Sequence, residues 1–481
     1  MARFGTMRTQ LLIGGEWREG ADGKRIEVVD PSTGEPFAEV ADGTPADAVA
    51  ACEAAEAAQR SWATTAPRQR AEILRACWQH LLDHTDELAE LIVKENGKPL
   101  ADAKGEVAYA AEFFRWNAEE TVRIRGELAV APAGANRMIV HHPPVGVVAM
   151  ITPWNFPAAM MTRKLAPALG AGNGVVVKPP KQTPLTALRV VDLLQEAGVP
   201  AGLVNVVTTN DAGSWFDATI GHRAVRMLSF TGSTEVGRKL LAGASGRVLK
   251  TVMELGGNAP LVVFDDADID VAVEGAMLAK MRHSAETCTA ANRFYVEAGV
   301  ADEFTERFAE AMAAIAVGNG MEAGVGCGPL IDAKALDSVS GLVDDAIGEG
   351  AKVVTGGARL DRPGYFYEPT VLAGVRHGTK ITREEVFGPV APVISFTDHD
   401  EMIDQANDTE MGLAAYVFTR DLAKGLAVSE RIQAGMVGVN RGVVSDPAAP
   451  FGGMKQSGLG REGSTDGIYE FCETQYIATN W

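Results

Sequence analysis

From residue 8 to about 40 the chain alternates short apolar runs with Gly-Gly, Asp-Gly and Thr-Gly turns, a pattern that predicts strands joined by hairpins. Thr44-Pro45-Ala46-Asp47 then opens an Ala-rich helix, with Thr44 as its cap and Pro45 in the first turn. Apolar spacing predicts two further helices, over 68–96 and from 100 to about 121. Residues 128–142 read differently. Two short apolar runs flank Pro132-Ala-Gly134-Ala-Asn136, which predicts a long hairpin leaving a domain that resumes after it.

From Val145 the pattern becomes βαβ. Strands are predicted at 147–151, 174–177, 203–207 and 226–230, with helices at 156–169 and 184–197 between them. Short apolar runs alternating with helices imply a parallel sheet covered on both faces. After Glu254 a second α/β series begins, with strands near 261–264, 293–296, 352–355 and 390–396. The tail at 471–478 reads as a last strand with no obvious partner.

A chain of 481 residues exceeds what one core can serve, so two or three packing units are expected. Hydrophobic content of 46% and charged content of 22% place it among ordinary globular proteins. A net charge of −19 argues against a nucleic-acid surface and requires a local basic pocket for any anionic substrate. Five irregularly spaced cysteines, with no Cys-x-x-Cys pair, read as reduced thiols. His80 and His84 stand four apart, but Leu81 replaces the Glu of a zinc-protease helix, so no metal is expected. Neither a signal-peptide core nor an apolar run of about 18 residues occurs, so the expectation is a cytoplasmic protein with no membrane partner.

No Gly-x-Gly-x-x-Gly follows the first strand of the βαβ series. Gly170-Ala-Gly172-Asn-Gly174 stands between a helix end and a strand and reads as a helix-terminating turn. Phe230-Thr-Gly232-Ser233-Thr-Glu-Val-Gly237 is the better phosphate cradle: it follows a strand and opens a helix, whose N–H groups and dipole suit a pyrophosphate. A plain capped helix start is the competing reading. Four further segments carry chemistry. They are Pro153-Trp154-Asn155-Phe156-Pro157, Met253-Glu254-Leu255-Gly256-Gly257, His283-Ser284-Ala285-Glu286-Thr287-Cys288 and Glu385-Val386-Phe387-Gly388-Pro389.

These segments, in this order and with Glu254 and Cys288 34 positions apart, resemble the NAD(P)-dependent aldehyde dehydrogenase superfamily over essentially the whole chain. The resemblance implies an α/β fold of two Rossmann-like parallel-sheet domains plus a β-hairpin oligomerisation arm. It divides the chain into a cofactor-binding domain (1–125 and 144–254), a catalytic domain (255–464) and the arm (126–143 and 465–481), in a homodimer or homotetramer. It implies that Cys288 attacks an aldehyde carbonyl as thiolate. The Asn155 side-chain amide and the Cys288 backbone N–H hold the oxyanion. After hydride transfer, Glu254 activates water against the thioester.

The resemblance also places the nucleotide against Thr152, Pro153, Trp154, Lys178, Lys181, Gly232, Ser233, Leu255 and Gly256, with Glu385 on the nicotinamide ribose and Phe387 beside the ring. At position 181 many NAD-specific relatives have Glu; Lys181 suits a 2′-phosphate, so NADP is the expected cofactor, with NAD as the alternative. A solvated loop lysine is the bland reading of that residue.

Within the family, succinate-semialdehyde dehydrogenases carry Arg, Arg and Ser at the positions of Arg163, Arg282 and Ser445, where they bind the substrate's far carboxylate. Two guanidinium forks and a hydroxyl suit such an anion. The segment from Pro450 to Gly463 is similar to that subfamily's C-terminal signature. The expected activity is therefore oxidation of a semialdehyde, succinate semialdehyde first, with a different ω-acid or an uncharged aldehyde as the alternative. An internal ion pair is the competing reading of the arginines.

The approach to the nucleophile departs from the usual Asn-x-Gly-Gln. Ala285 lacks the backbone latitude of Gly, Glu286 would raise the Cys288 pKa if its carboxylate faced the thiol, and His283 adds a titratable group beside Arg282. Ala290 removes the neighbouring-cysteine disulfide of some relatives. Readings from other classes are a non-catalytic binding protein of this fold, an acylating dehydrogenase that uses coenzyme A, and a thiol hydrolase. Retention of Cys288, Glu254 and Asn155, and the Lys178 and Glu385 sites, weigh against them.

Overall fold

A computed structural model describes residues 7–480. Two large sheets organise them. The first has eight strands. Five of them, Val204–Val206, Gly174–Lys178, Val147–Ile151, Val225–Thr231 and Lys250–Glu254, run parallel in that spatial order. The antiparallel strands Leu11–Ile13 and, at the edge, Glu16–Arg18 close one side and Gly458–Leu459 the other. Alternate side chains enter opposite cores: Val148, Met150, Val175 and Val177 on one face, Val147, Ala149, Val176 and Leu228 on the other.

The second sheet repeats the plan with seven strands. Thr370–Ala373, Val390–Phe396, Ala291–Glu297, Ala259–Val263, Ala414–Phe418 and Met436–Val439 run parallel, with Lys352–Thr355 antiparallel at the edge. Its two faces again have separate cores. The strands at 370–373, 414–418 and 436–439 were not among the predicted ones. A third, three-stranded antiparallel sheet joins Glu127–Val130, Arg137–His141 and Gln475–Thr479. This supplies the missing partner of the tail: Gln475 pairs with His141 and Thr479 with Arg137. The strand is shorter than predicted because Tyr469–Phe471 forms a 3-10 turn.

Local signals explain most boundaries. Thr44 and Asp47 form a reciprocal capping box on the helix Pro45–Trp62. The predicted 68–96 helix is two helices, Pro67–Asp83 and Thr85–Asn96, broken at His84, whose φ of −108° and ψ of 22° leave the helical basin. The helix predicted from 156 starts at Ala159 and ends at Ala171, where Gly172 takes a left-handed φ of 103°. That is the predicted terminating turn. Among the described residues no helix is long and apolar enough to cross a membrane.

In the first sheet the chain moves outward in both directions from the 147–151 and 225–231 strands. Such a reversal opens a crevice at the carboxyl ends of the strands, where α/β proteins bind ligands. Residues 152–156, 178, 232–233 and 254–257 all follow those ends.

Candidate active site

Pro153, Trp154, Asn155, Met160, Thr231, Gly232, Ser233, Leu255, Gly256, Cys288, Glu385 and Phe387 line one cavity of about 190 Å³. Five stretches spread over more than 230 positions of sequence, 153–160, 231–233, 255–256, 288 and 385–387, thus line the cavity at the Cys288 thiol. Among the five, 385–387 and 288 come from the second sheet's half of the chain. The cleft lies between the two α/β layers.

Cys288 is half-buried. Burial pushes its thiol up to about 12; Arg163 and Arg282 pull the other way, while Glu385 and Glu254 add to the rise. The resting group is a thiol, so attack requires removal of its proton. Asn155 is buried, and its Nδ2 donates to the carbonyl oxygen of Glu286 at 2.9 Å. One amide proton is thereby used to tie the 152–156 loop to the segment carrying the nucleophile, and the second is left for a ligand.

Glu254 ends the strand Lys250–Glu254 and is buried, with neither carboxylate oxygen hydrogen-bonded. Burial, then the nearby Glu462 carboxylate, raise its pKa well above the usual range, against the opposing Lys164, Arg163 and Arg461. Glu462 itself is held by Lys164 Nζ at 2.6 Å. A carboxyl without internal partners in a buried site is poised to exchange a proton with a water or ligand.

Glu385 Oε1 accepts from the Gly257 backbone N–H at 3.2 Å, and burial pushes the carboxyl up to about 7. A Cβ at position 256 would stand 2.9 Å from Glu385 Oε2, so any larger residue there would displace that carboxyl. Phe387 meets Trp154 edge-on, with ring centroids 5.4 Å apart. Ser233 caps the helix Thr234–Ser245, its side chain accepting from Val236 N, and Gly232 N donates to the Glu254 carbonyl at 3.0 Å.

The buried Thr152 hydroxyl has no hydrogen-bond partner among the described residues. Its backbone N–H donates to the Lys178 carbonyl at 3.3 Å. Lys178 Nζ donates to the Pro179 carbonyl at 3.1 Å, and burial followed by the Lys181 charge lowers its pKa to about 8. Lys181 is exposed and lines a separate cavity of about 420 Å³ with Glu95, Gln182, Asn210 and Asp332. The structure therefore does not bring Lys181 into the Cys288 cavity, although its charge is felt at Lys178. The spare hydroxyl, the helix start, the lysine and the Gly256 cradle together fit a dinucleotide.

Arg163 is fully buried, its guanidinium 3.9 Å from the Phe451 ring centre and its Nη1 3.6 Å from Glu462. Nη2 donates to the Tyr109 hydroxyl, which lies 3.0 Å from Ser445 Oγ. Arg282, half-buried, ends the helix Ile269–Met281 and makes no ion pair among the described residues. Two of the three predicted residues, Arg163 and Ser445, are thus joined through Tyr109, which the sequence pattern did not single out, and none of the three lines the Cys288 cavity.

His283, Ser284 and Ala285 have φ of 55°, 55° and 67°, three successive non-glycine residues in the left-handed region. Such backbone persists only where its surroundings hold it. Here Asp102 accepts from His283 N at 2.8 Å, the His283 ring lies 4.1 Å from that of Phe156, and Ser284 Oγ accepts from Gly328 N at 2.8 Å. Burial keeps His283 neutral by lowering its pKa well below the usual value. The Glu286 carboxylate accepts from Ile331 N at 3.0 Å. It faces the 326–331 segment, so the concern that it confronts the thiolate is corrected.

A thiol and an amide at the mouth of a parallel-sheet crevice, with a capped helix start and a buried lysine at neighbouring strand ends, define the class of molecule. The aldehyde dehydrogenase family model matches residues 17–477, and the chain belongs to that family. It is 54% identical to a succinate-semialdehyde dehydrogenase of Paenarthrobacter nicotinovorans over 92% of this chain and 98% of that one. It is 47% identical to a glutarate-semialdehyde dehydrogenase of Pseudomonas putida over 98% of this chain and 97% of that one. The crystal structure of an Escherichia coli NADP-dependent enzyme superposes with a TM-score of 0.98 at 46% identity, covering all of both chains.

Proposed function

We propose that the chain oxidises a semialdehyde with a carboxylate at its far end, succinate semialdehyde first, to the dicarboxylic acid with NADP⁺. The observation that carries this reading is that the buried Arg163 guanidinium donates to the Tyr109 hydroxyl, which lies 3.0 Å from Ser445 Oγ, while Arg282 makes no ion pair among the described residues. A pocket that holds an aldehyde carbon at the thiol and cations beyond it selects an ω-anionic substrate. The succinate- and glutarate-semialdehyde dehydrogenases among the relatives support this class, and the NADP-dependent E. coli structure supports the cofactor.

In this reading the Cys288 thiol loses its proton to solvent by way of the Glu254 carboxylate, Sγ adds to the carbonyl carbon, and the Asn155 amide with the Cys288 N–H takes the oxyanion. NADP⁺, when bound, supplies the hydride acceptor. Glu385 orients the nicotinamide ribose, Phe387 and Trp154 bound the ring, and Lys178 with Lys181 attracts the 2′-phosphate. Glu254 takes a proton from the water that releases the acid from Cys288. Residues 1–125 with 144–254 serve the cofactor, 255–464 carry the nucleophile, and 126–143 with 465–481 join subunits of a homodimer or homotetramer. Five unpaired thiols suit a reducing cytoplasm.

The test is absorbance at 340 nm with succinate semialdehyde, glutarate semialdehyde and butanal, each with NADP⁺ or NAD⁺, with and without coenzyme A. Efficient NADP⁺ reduction that needs neither coenzyme A nor metal is expected, fastest with the anionic aldehydes. Equal kcat/KM for butanal removes the carboxylate reading, and no reduction with any aldehyde removes the enzyme.

A further inference from the structure

We infer that Lys280 is a positioning residue of the nucleotide site: from the end of the helix Ile269–Met281 it holds the backbone behind Glu385 and sets a positive charge beside that carboxylate. This rests on the reading above, in which Glu385 orients the nicotinamide ribose, and adds what keeps Glu385 ionised and in place.

Lys280 is 0% exposed, unlike a lysine that ends a helix at the surface and reaches water along its stem. Its Nζ donates to Asn292 Oδ1 at 3.1 Å and comes within 3.5 Å of the Val386 carbonyl oxygen. Asn292 is buried and belongs to the strand Ala291–Glu297. The lysine thus stands eight positions before Cys288 and its amide partner four after it, while Val386 lies between Glu385 and Phe387. One side chain ties both flanks of the nucleophile to the segment assigned to the nicotinamide. Methionine would fill a similar volume with no ion to desolvate, so packing alone does not account for an ammonium here.

The surrounding charges single out one pair. Burial lowers the Lys280 pKa to about 7, and the charge that opposes this is that of Glu385. Burial likewise raises Glu385 to about 7, opposed by the Gly257 N–H and then by Lys280. Cys288, the other titratable group beside Glu385, is pushed up to about 12 and so carries no charge near neutral pH. Arg383 and Glu384, on the same segment, are exposed to solvent. Asn292 and the Val386 carbonyl are neutral. The ammonium is therefore the ion that favours the carboxylate form of Glu385, and that form is the one that accepts ribose hydroxyls. Lys280 does not line the Cys288 cavity, so it acts through Glu385 rather than on a ligand.

The experiment measures NADP⁺ and NAD⁺ binding by calorimetry, without aldehyde, from pH 6.5 to 9.5 in wild type, Lys280→Met and Lys280→Gln. In wild type both Kd values are expected to fall as pH rises through 7, where Glu385 ionises. Removing the ammonium is expected to move that transition upward by about one pH unit, the smaller end of a neighbouring charge's effect. The ionised fraction of Glu385 at pH 7 then drops from roughly one half to roughly one in ten, so both Kd values rise about fivefold there. They converge with wild type toward pH 9.5, where Glu385 is ionised in either protein. Lys280→Gln, also uncharged, is expected to show the same shift and carries the test if Lys280→Met does not fold. An unshifted transition, an equal weakening at every pH, or an effect on one nucleotide alone each overturns the inference while leaving the Glu385 assignment in place. A wild-type Kd indifferent to pH around 7 overturns both.

Discussion

Asn155 Nδ2 and the carbonyl oxygen of Glu286 are 2.9 Å apart, and this hydrogen bond joins the loop after the first central strand to the segment two residues before the nucleophile. In the proposed mechanism this residue has two tasks: its bonded proton fixes the approach of Cys288, and its other proton holds the oxyanion. Asn155→Ala removes both and is expected to lower kcat by about 10²–10³-fold, the effect of losing one oxyanion donor, with a smaller change in aldehyde KM. Steady-state kinetics decide it; a fall confined to KM would sink the oxyanion assignment.

The cofactor site predicts a pH signature that differs between the two nucleotides. Glu385 sits at about 7 and must be ionised to accept ribose hydroxyls, so kcat/KM for either nucleotide rises as pH rises through 7. Lys178 sits at about 8 and must be protonated to attract a 2′-phosphate, so the preference for NADP⁺ over NAD⁺ falls as pH rises through 8. The raised pKa values of Cys288 and Glu254 affect both nucleotides alike and cancel in the ratio. The ratio of kcat/KM values measured from pH 6.5 to 9.5 checks this, and a ratio flat across pH 8 rules out Lys178 as the phosphate partner.

A buried ion pair supports the Asn155 loop from behind. Lys98 Nζ donates to Glu106 and to the Asn155 carbonyl, each at 2.6 Å, and Glu106 Oε1 accepts from Ala158 N at 2.9 Å and Ala159 N at 3.3 Å, at the start of the helix bearing Arg163. The two side chains are 1% and 0% exposed. Lys98→Met strands the Glu106 charge and is expected to cost about 3–5 kcal/mol of stability, the penalty for breaking a buried pair from one side. Lys98→Met together with Glu106→Gln should recover part of that loss. Denaturant unfolding of wild type, the two single variants and the double variant measures both effects, and an additive double variant would show that the pair is not coupled.

The residues the sequence disclosed and those it hid differ in a physical way. Asn155 and Glu254 stand at the ends of strands and Cys288 and Glu385 shortly before strands, at the junctions between apolar runs and polar or glycine-rich segments, so local pattern and family resemblance both point at them. Tyr109, Lys98 and Glu106 sit on or beside a helix whose apolar spacing reads as ordinary core packing. Their meaning comes from partners 54, 57 and 52 positions away, at Arg163, Asn155 and Ala158. The partner of the terminal strand was hidden for the same reason, since Gln475 meets His141 across most of the chain. Lys181 shows the opposite limit. Its identity is informative, but only the structure shows it outside the cavity that holds Cys288.

The left-handed run before Cys288 leads to the last prediction. Ala285 has φ of 67° in a position where glycine would incur no steric cost, and its methyl group contributes no hydrogen bond to hold the segment. Asp102, Ser284 and Glu286 anchor the turn instead, through His283 N, Gly328 N and Ile331 N. Ala285→Gly relieves the strain and enlarges the conformational freedom of the unfolded chain, two effects of opposite sign. Relief of left-handed strain, about 1–2 kcal/mol per residue, exceeds the roughly 0.5–1 kcal/mol cost of the added freedom. The variant is therefore expected to be more stable than the parent by a fraction of a kcal/mol to about 1 kcal/mol. The anchors are untouched, so the turn keeps its shape and the thiol keeps its place. Urea unfolding with the m-value held constant measures the gain, and a clearly less stable Ala285→Gly would mean that the methyl group's packing in its buried site outweighs the strain.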